Sequence, residues 1–573
     1  MRRLLSIMRR YLKESILGPL FKLFEATLEL LVPLVVANMI DIGVKNADVP
    51  YIVKMGLLLL GFGVVGLAFS VTAQYFAAKA SVGTVTVLRH DLFAHLGKLS
   101  YAQIDTLGTS TMIARMTSDA NQVQQGVNLA LRLLLRSPFV VFGAMIVAFT
   151  IDAPLALIFA GAILVLSVIV FGIMLICIPL FKRVQKNLDG VLLHTKENLS
   201  GARVIRAFCK EEEEGEQFVR ANGELTKSQT FVGRITALQN PLTYVIINFA
   251  ILLLIWCGAI KVDGGMLSQG EVVALYNLMG QILVELVKLA NLIITITKSV
   301  ACANRIDAIF SISPEESVTE GDEPAVCSEN AVSFDNVSLT YASASEGALS
   351  HISFEAKRGT VVGIIGGTGS GKSSLVNLIC GFYGATEGLV SIDGTPIGEY
   401  PIPHLRKKIS IVPQKAVLFS GTIRENLTLR DEKATDEELF EALRIAQAEG
   451  VVIDKGGLSS RVEQGGKNFS GGQRQRLTIA RALVGKPEIL ILDDSASALD
   501  LATDKALREA LRTLKNMTVF IVSQRTSSIM HADLILVLDD GEVVGMGRHE
   551  DLLSSSDIYR EIYFSQFEEG GER

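Results

Sequence analysis

The chain lacks the patterns that mark several protein classes. Its six cysteines, Cys177, Cys209, Cys257, Cys302, Cys327 and Cys380, are scattered without a CxxC pair. That spacing points to neither a zinc site nor a disulfide framework. Basic residues are not in excess: 54 Lys and Arg stand against 60 Asp and Glu, a net charge of −6. No nucleic-acid partner is therefore expected. The opening residues, MRRLLSIMRRYLKES, carry no signal-peptide cleavage pattern. They read as a basic amphipathic segment lying on the cytoplasmic surface of a membrane.

Apolar side chains are abundant. They fill 49% of the 573 positions, and the mean hydropathy is +0.38. The length exceeds one core, and the average places part of the chain in lipid. Ala153 to Phe181 carries no charge, and Met55 to Ala78 and Ile235 to Ile260 are equally clean. Three weaker stretches complete a set of six spans. Ile16 to Ile42 is interrupted by Lys22, Glu25 and Glu29; Val127 to Thr150 starts with two arginines; Val272 to Ser299 contains Glu285 and Lys288. Lys22, Glu25 and Glu29 share one helix face, and charges at membrane depth line cavities or pair with each other.

The loops set the orientation. Arg89, Lys98 and Arg115 lie between spans 2 and 3; Lys182, Arg183, Lys186, Arg203, Arg206, Lys210 and Arg234 lie between spans 4 and 5. The opposite loops are short and carry Asp41, Asp48, Asp152 and Asp263. Positive loops stay inside, so both long loops and both termini are expected in the cytoplasm of a cell with this protein in its plasma or inner membrane. The long loops read as helices continuing out of the membrane. Stretches near Gly108 to Ala120 and Lys227 to Gln239 are the candidates for contact with a cytoplasmic domain.

After the spans comes SISPEESVTEGDEPAVCSEN, acidic and poor in apolar residues, as a connection would be. Short β-rich runs then alternate with helical stretches, the pattern of an α/β domain. The expected division is a six-span helical transmembrane domain over 1–310, a linker over 311–330 and an α/β domain over 331–573.

GGTGSGKS, Gly366 to Ser373, follows a strand-like run and precedes a helix-like one. This is the P-loop pattern in its required context. Gly366, Gly367, Thr368, Gly369, Ser370 and Gly371 would wrap phosphate oxygens with backbone N–H groups. Lys372 would reach the β- and γ-phosphates of a nucleotide, Ser373 would hold Mg²⁺, and Ser374 continues the helix N-terminus. ILILDD delivers Asp493 to the end of an apolar run, where an aspartate holds Mg²⁺. NFSGGQRQRLTIARAL, Asn468 to Leu483, opens another helix with Ser and Gly.

These three motifs in this order, behind six spans, resemble a half-transporter of the ATP-binding cassette (ABC) exporter type. The resemblance covers essentially the whole chain, and FSGGQ separates this family from other P-loop ATPases. It implies ATP and Mg²⁺ as cofactors and ATP hydrolysis coupled to transport. It also implies roles for further residues. Tyr341 in FDNVSLTY would stack on adenine, and Gln414 in IVPQ would sense Mg²⁺. Ser470, Gly471, Gly472 and Gln473 would bind the γ-phosphate of ATP held by the opposite subunit. Asp500 in SALD would form the D-loop.

The sequence departs from the family at two positions. Asp494 stands where a glutamate normally positions the attacking water, and Gln524 in IVSQRTSSI stands where a histidine normally contacts the γ-phosphate. Phosphoryl transfer rests on positioning and electrostatics, and both changes strike that step. The chain's own Walker site is expected to bind ATP and hydrolyse it slowly. Its signature would complete a competent site on a second half-transporter with Glu and His intact. Phe469 replaces the usual Leu before the signature, and either Glu463 or Gln464 fills the coupling-loop position. The expected function is export of a small amphipathic molecule, lipid or peptide by alternating access, as the degenerate half of a heterodimer. The alternatives are a homodimeric exporter or lipid flippase with slow ATPase, or an ATP-gated channel of the same architecture. No peptidase-like segment precedes the first span, which counts against a peptide-processing exporter.

Overall fold

The computed structural model describes residues 2–314, 321–341, 344, 346–495, 497–514 and 516–567. The chain divides into two compact units, Met1–Gly97 with Ser110–Ile312, and Lys98–Thr109 with Ser313–Arg573.

The first unit is helical. Among the described residues, six helices are long and apolar enough to cross a membrane: Arg3–Val44, Val49–Leu96, Thr109–Ile151, Ala153–Ser200, Glu211–Asp263 and Gln269–Phe310. Each contains one of the six expected spans. At 1.5 Å per residue a 48-residue helix such as Ala153–Ser200 is about 72 Å long, more than twice the ~30 Å of a hydrocarbon core. The helices therefore continue beyond the bilayer. Their starts are written locally. Asp48 and Asp152 each accept a hydrogen bond from the backbone three residues on, with proline in the first turn, and Ser268 and Glu271 form a capping box.

Small residues let these helices close on one another. Ala26, Ala144, Ala148, Ala156 and Ala250 are buried with Leu30, Val140, Phe159 and Leu275. Leu57, Leu60, Val64 and Trp256 are exposed on the outside, where lipid would cover them. Several charged residues within the spans are paired. Arg136 donates to Glu29 at 2.5 Å and to Glu285 at 2.6 Å. Glu285 also accepts from Ser137 at 2.8 Å and Lys288 at 2.9 Å. Lys22 is buried and donates to Glu25 and to Ser70.

The second unit is built on two sheets. Strands β1 (Asn330–Leu339), β2 (Leu349–Lys357), β4 (Glu387–Ile392) and β5 (Thr395–Pro396) form an antiparallel sheet in the order β2-β1-β4-β5. Strands β3 (Val361–Gly366), β6 (Ile409–Val412), β9 (Ile489–Asp493), β10 (Thr518–Val522), β11 (Leu534–Asp539) and β12 (Glu542–Gly547) form the second, in the order β12-β11-β3-β10-β9-β6. All neighbours there run parallel except β11 and β12. A two-residue pair, β7 (Gly421–Thr422) with β8 (Arg461–Val462), lies apart. The parallel strands are apolar on both faces, as strands covered on both sides must be. One core joins the antiparallel sheet to the helix Lys372–Ile379; the other joins the opposite face to the helices Asp436–Ile445 and Gly471–Leu483.

The helix Tyr101–Leu107 belongs to this second unit. Tyr101 lies 4.3 Å from Phe382 between ring centroids, Asp105 accepts from the Tyr383 hydroxyl, and Gln103 donates to the Ser313 carbonyl at 2.9 Å. The stretch expected to dock, Gly108 to Ala120, instead lies mainly in the helix that leads into span 3. Lys227 to Gln239 likewise falls almost wholly inside the helix Glu211–Ala237. The chain reversal between spans 4 and 5 is at Gly201–Lys210, around the short helix Ala202–Ala207 with Val204 and Phe208 exposed.

Candidate active site

Four neighbouring parallel strands end at one edge of the larger sheet, the edge where ligands bind in open α/β folds. β3 runs into the P-loop, β10 into Ser523 and Gln524, β9 into Asp493 and Asp494, and β6 towards Gln414. The register fixes this alignment: Val522 pairs with both Asp493 and Ile364, and Val412 pairs with Leu492.

The P-loop needs its glycines for space. A Cβ on Gly366 would lie 2.1 Å from the Leu538 carbonyl oxygen. Gly371 has φ +94° at the helix N-cap, and a Cβ there would lie 2.7 Å from Leu349. Lys372 folds back over the loop, donating to the Gly366 carbonyl at 2.9 Å, to the Gly367 carbonyl, and to Ser370 Oγ at 3.2 Å. Its ammonium thus caps the concave side that phosphate oxygens would occupy. Burial lowers the Lys372 pKa, and the Asp493 and Asp494 carboxylates partly oppose that shift. Asp493 moves the other way: burial first, then the Asp494 charge, raise its pKa against the pull of Lys372. Two adjacent carboxylates thus face one partly buried lysine. Such an excess of negative oxygen donors suits a hard divalent cation.

Asp494 is held in the left-handed region at φ 45°, a conformation that a short polar side chain tolerates better than most. Its N–H donates to the Val522 carbonyl at 2.9 Å, and its Oδ2 faces the Gln414 amide at 3.4 Å. Gln524 is exposed, and its main-chain carbonyl accepts from Gln566 Nε2 at 2.8 Å. Gln566 Oε1 in turn accepts from the Thr526 N–H at 2.8 Å, so one side chain from the C-terminal segment spans the loop. No local sequence signal marks Gln566 for this.

Tyr341 lies just beyond β1, not within it. Its hydroxyl donates to Ser374 Oγ at 3.1 Å, and its ring meets Tyr383 edge-on at 5.0 Å. Burial and then Asp105 raise the Tyr383 pKa, which keeps that phenol a donor at physiological pH. Ser470 caps the helix Gly471–Leu483 in a reciprocal box with Gln473, and Gly472 passes close to the Ala498 carbonyl. Asp500 caps the helix Leu501–Arg512, and the hydrogen bond from Thr503 lowers its pKa. Phe469 is a core residue, with the Lys455 ammonium 5.2 Å from its ring centroid. Glu463 and Gln464 are both exposed. The residues named from sequence thus divide into three groups: Gly366 to Ser374, Tyr341, Gln414, Asp493, Asp494 and Gln524 around the strand edge, Ser470 to Gln473 on a helix start of their own, and Asp500 at the start of the helix Leu501–Arg512.

A helical unit with six membrane-length helices, on one chain with a P-loop α/β unit, defines an integral membrane NTPase. The chain matches the ABC transporter transmembrane region over residues 15–286 and the ABC transporter family model over residues 349–497. It is 35% identical to an uncharacterised ABC transporter ATP-binding protein of Mycobacterium tuberculosis, over 96% of this chain and 95% of that protein. It is 29% identical to an ATP-dependent lipid A-core flippase of Vibrio vulnificus, over 93% and 91%. A bacterial Atm1-family ABC exporter with ATP bound has the same fold, with a TM-score of 0.81 at 23% identity over 99% of this chain and 100% of that one. The chain belongs to the ABC transporter family. It is an ABC transporter with fused transmembrane and ATPase domains that binds ATP and couples its hydrolysis to transport.

Proposed function

We propose that this chain is the slow-site half of a heterodimeric exporter of a small amphipathic molecule, lipid or peptide. The observation that carries the reading is the placing of both departures on adjoining strand ends. Asp494 follows β9 and Gln524 follows β10, while Lys372 and Asp493 keep the features that binding needs. Tyr341 would stack on adenine, and the P-loop from Gly366 to Gly371 with Lys372 would hold the phosphates. Ser373, Gln414 and Asp493 would hold Mg²⁺, which when bound neutralises phosphate charge. Ser470 to Gln473 would close over ATP held by the partner's Walker motifs. Alternating access then follows from closure of the paired ATPase domains. On the positive-inside argument, both termini and the ATPase domain lie in the cytoplasm.

The test is the native mass of the complex drawn out of its own host through a tag on this chain. A second, different half-transporter of similar size supports the reading, and Glu→Gln in that partner's Walker B motif should then remove most ATPase activity. Two identical chains would sink it. In that case the second reading, a homodimeric exporter or lipid flippase with slow ATPase, gains from the similarity to the lipid A-core flippase.

A further inference from the structure

The loop that carries Gln524 has little of its own to hold it. It joins β10 to the short helix Thr526–Ile529, whose N-cap residue, Arg525, makes no side-chain capping bond. The Ser523 N–H donates to the Ile364 carbonyl of β3 at 3.1 Å, and the Arg525 N–H donates to Ser523 Oγ at 2.9 Å. The two main-chain groups that flank Arg525, the Gln524 carbonyl and the Thr526 N–H, are both taken by one distant side chain. Gln566 Nε2 donates to the first and Gln566 Oε1 accepts from the second, each at 2.8 Å. Thr526 is fully buried, so its N–H needs a partner within the protein. A terminal amide suits this pair because it carries a donor and an acceptor on one carbon. A carboxylate brings acceptors alone, and an ammonium donors alone.

Gln566 is itself placed from outside the loop. It follows the helix Asp557–Phe564, its N–H donates to the Tyr563 carbonyl at 3.0 Å, and Tyr563 stacks on Phe567 with ring centroids 4.7 Å apart. On that helix Tyr559 is fully buried, and its hydroxyl meets His549 Nδ1 at 2.7 Å. The C-terminal segment thus reaches back 42 positions to the end of β10 from an anchored base. We propose that Gln566 is a positioning residue for ATP hydrolysis: it sets the Gln524 main chain so that the Gln524 side chain stands at the γ-phosphate. Its side chain bonds to this loop and not to the P-loop or Asp493, so its effect falls on the rate and not on ATP affinity.

The inference rests on the reading of Gln524 as the γ-phosphate contact, and one experiment separates the two. It is single-turnover ATP hydrolysis by the complex in lipid nanodiscs, in an Asp494→Glu background that brings this chain's Walker site into measurable range. A different partner carries Glu→Gln in its Walker B motif; two identical chains need no such change. Gln566→Ala should lower the rate by about tenfold, within the ~100-fold that a 1 Å misplacement can cost, with ATP affinity held. Gln566→Glu keeps the acceptor for the Thr526 N–H but turns an oxygen towards the Gln524 carbonyl. It should melt above Gln566→Ala and yet hydrolyse as slowly, a split that loss of stability alone cannot produce. In Gln524→Ala the rate is already lowered, and adding Gln566→Ala should lower it no further, because the two act as one unit. A parental rate in Gln566→Glu, or a further loss from Gln566→Ala on top of Gln524→Ala, would overturn the proposal and leave Gln524 at the γ-phosphate. A Gln524→Ala rate equal to that of the background would remove the reading of Gln524, and the proposal with it.

Discussion

Asp494 is one methylene shorter than the side chain that would place a water at the γ-phosphate. Its backbone is pinned by the hydrogen bond to Val522, so the residue cannot slide forward to make up the difference. A misplacement of about 1 Å can cost ~100-fold in rate. Asp494→Glu, with the partner site disabled, is therefore expected to raise single-turnover hydrolysis at this chain's Walker site by about tenfold or more, and adding Gln524→His should raise it again. No gain from either change would make Asp494 a working residue. Asp493 gives a second test with a definite sign. Its pKa is raised in the fold above the ordinary 3.8 by burial and by Asp494. The ionised form is thus disfavoured in the folded state: the penalty is full at neutral pH, falls as pH drops through the raised value, and is gone below the ordinary one. Asp493→Asn should therefore melt at a higher temperature than the parent at neutral pH without nucleotide, with the difference closing in acid. The same change should weaken Mg²⁺-dependent ATP binding. A melting temperature lowered at neutral pH would contradict the assignment. These residues were legible in the sequence because phosphate chemistry demands particular side chains at fixed spacing. Arg136 was legible only as a charge at the start of a span, because its partners lie 107 and 149 positions away.

The elements show where sequence patterning stops. Hydropathy marked all six spans, since lipid demands apolar side chains wherever helix meets it. It did not mark how far the helices run, because the extensions lie in water and follow helix propensity. Ala153 to Phe181 was legible as a span, whereas the helix reaches Ser200. The short helix of the second unit at Tyr101–Leu107 was missed for a related reason. Tyr101–Leu107 is set by a capping box at Ser100 and Gln103, but what selects it is the surface of Phe382 and Tyr383, far along the chain. Tyr383 also touches Tyr341, so one aromatic series runs from that helix to the proposed adenine platform. The loop after β10 depends on distance in the same way. Gln566 bonds both Gln524 and Thr526, and Thr526 is fully buried. Gln566→Ala leaves the Thr526 N–H without that partner, a loss of about 1–3 kcal/mol. The expected outcome is a lower unfolding midpoint for the ATPase domain and faster hydrogen exchange at Gln524 to Thr526. ATP affinity should hold, because the P-loop takes nothing from Gln566. Exchange confined to the C-terminal helix would show that the loop is held by other means.

At the scale of the whole molecule, the proposed orientation rests on loop charge, and the cysteines can test it. Cys177, Cys302 and Cys380 are buried, whereas Cys209 and Cys327 are exposed. Cys209 lies at the reversal between spans 4 and 5, and Cys327 follows span 6. Two spans separate them, so a six-span chain must present both on the same side of the membrane, whichever side that is. The positive-inside argument then says which. Lys182, Arg183, Lys186, Arg203, Arg206 and Lys210 flank Cys209, while the opposite turns carry Asp48, Asp152 and Asp263. A membrane-impermeant maleimide should therefore leave both cysteines unmodified in intact cells and modify both in inside-out vesicles, read peptide by peptide. Gly265→Cys, in the turn between spans 5 and 6, should behave oppositely. Modification of Cys209 and Cys327 from opposite sides would remove one span from the count. Modification of both from outside would keep the count and reverse the orientation, placing the ATPase domain where cytoplasmic ATP cannot reach it.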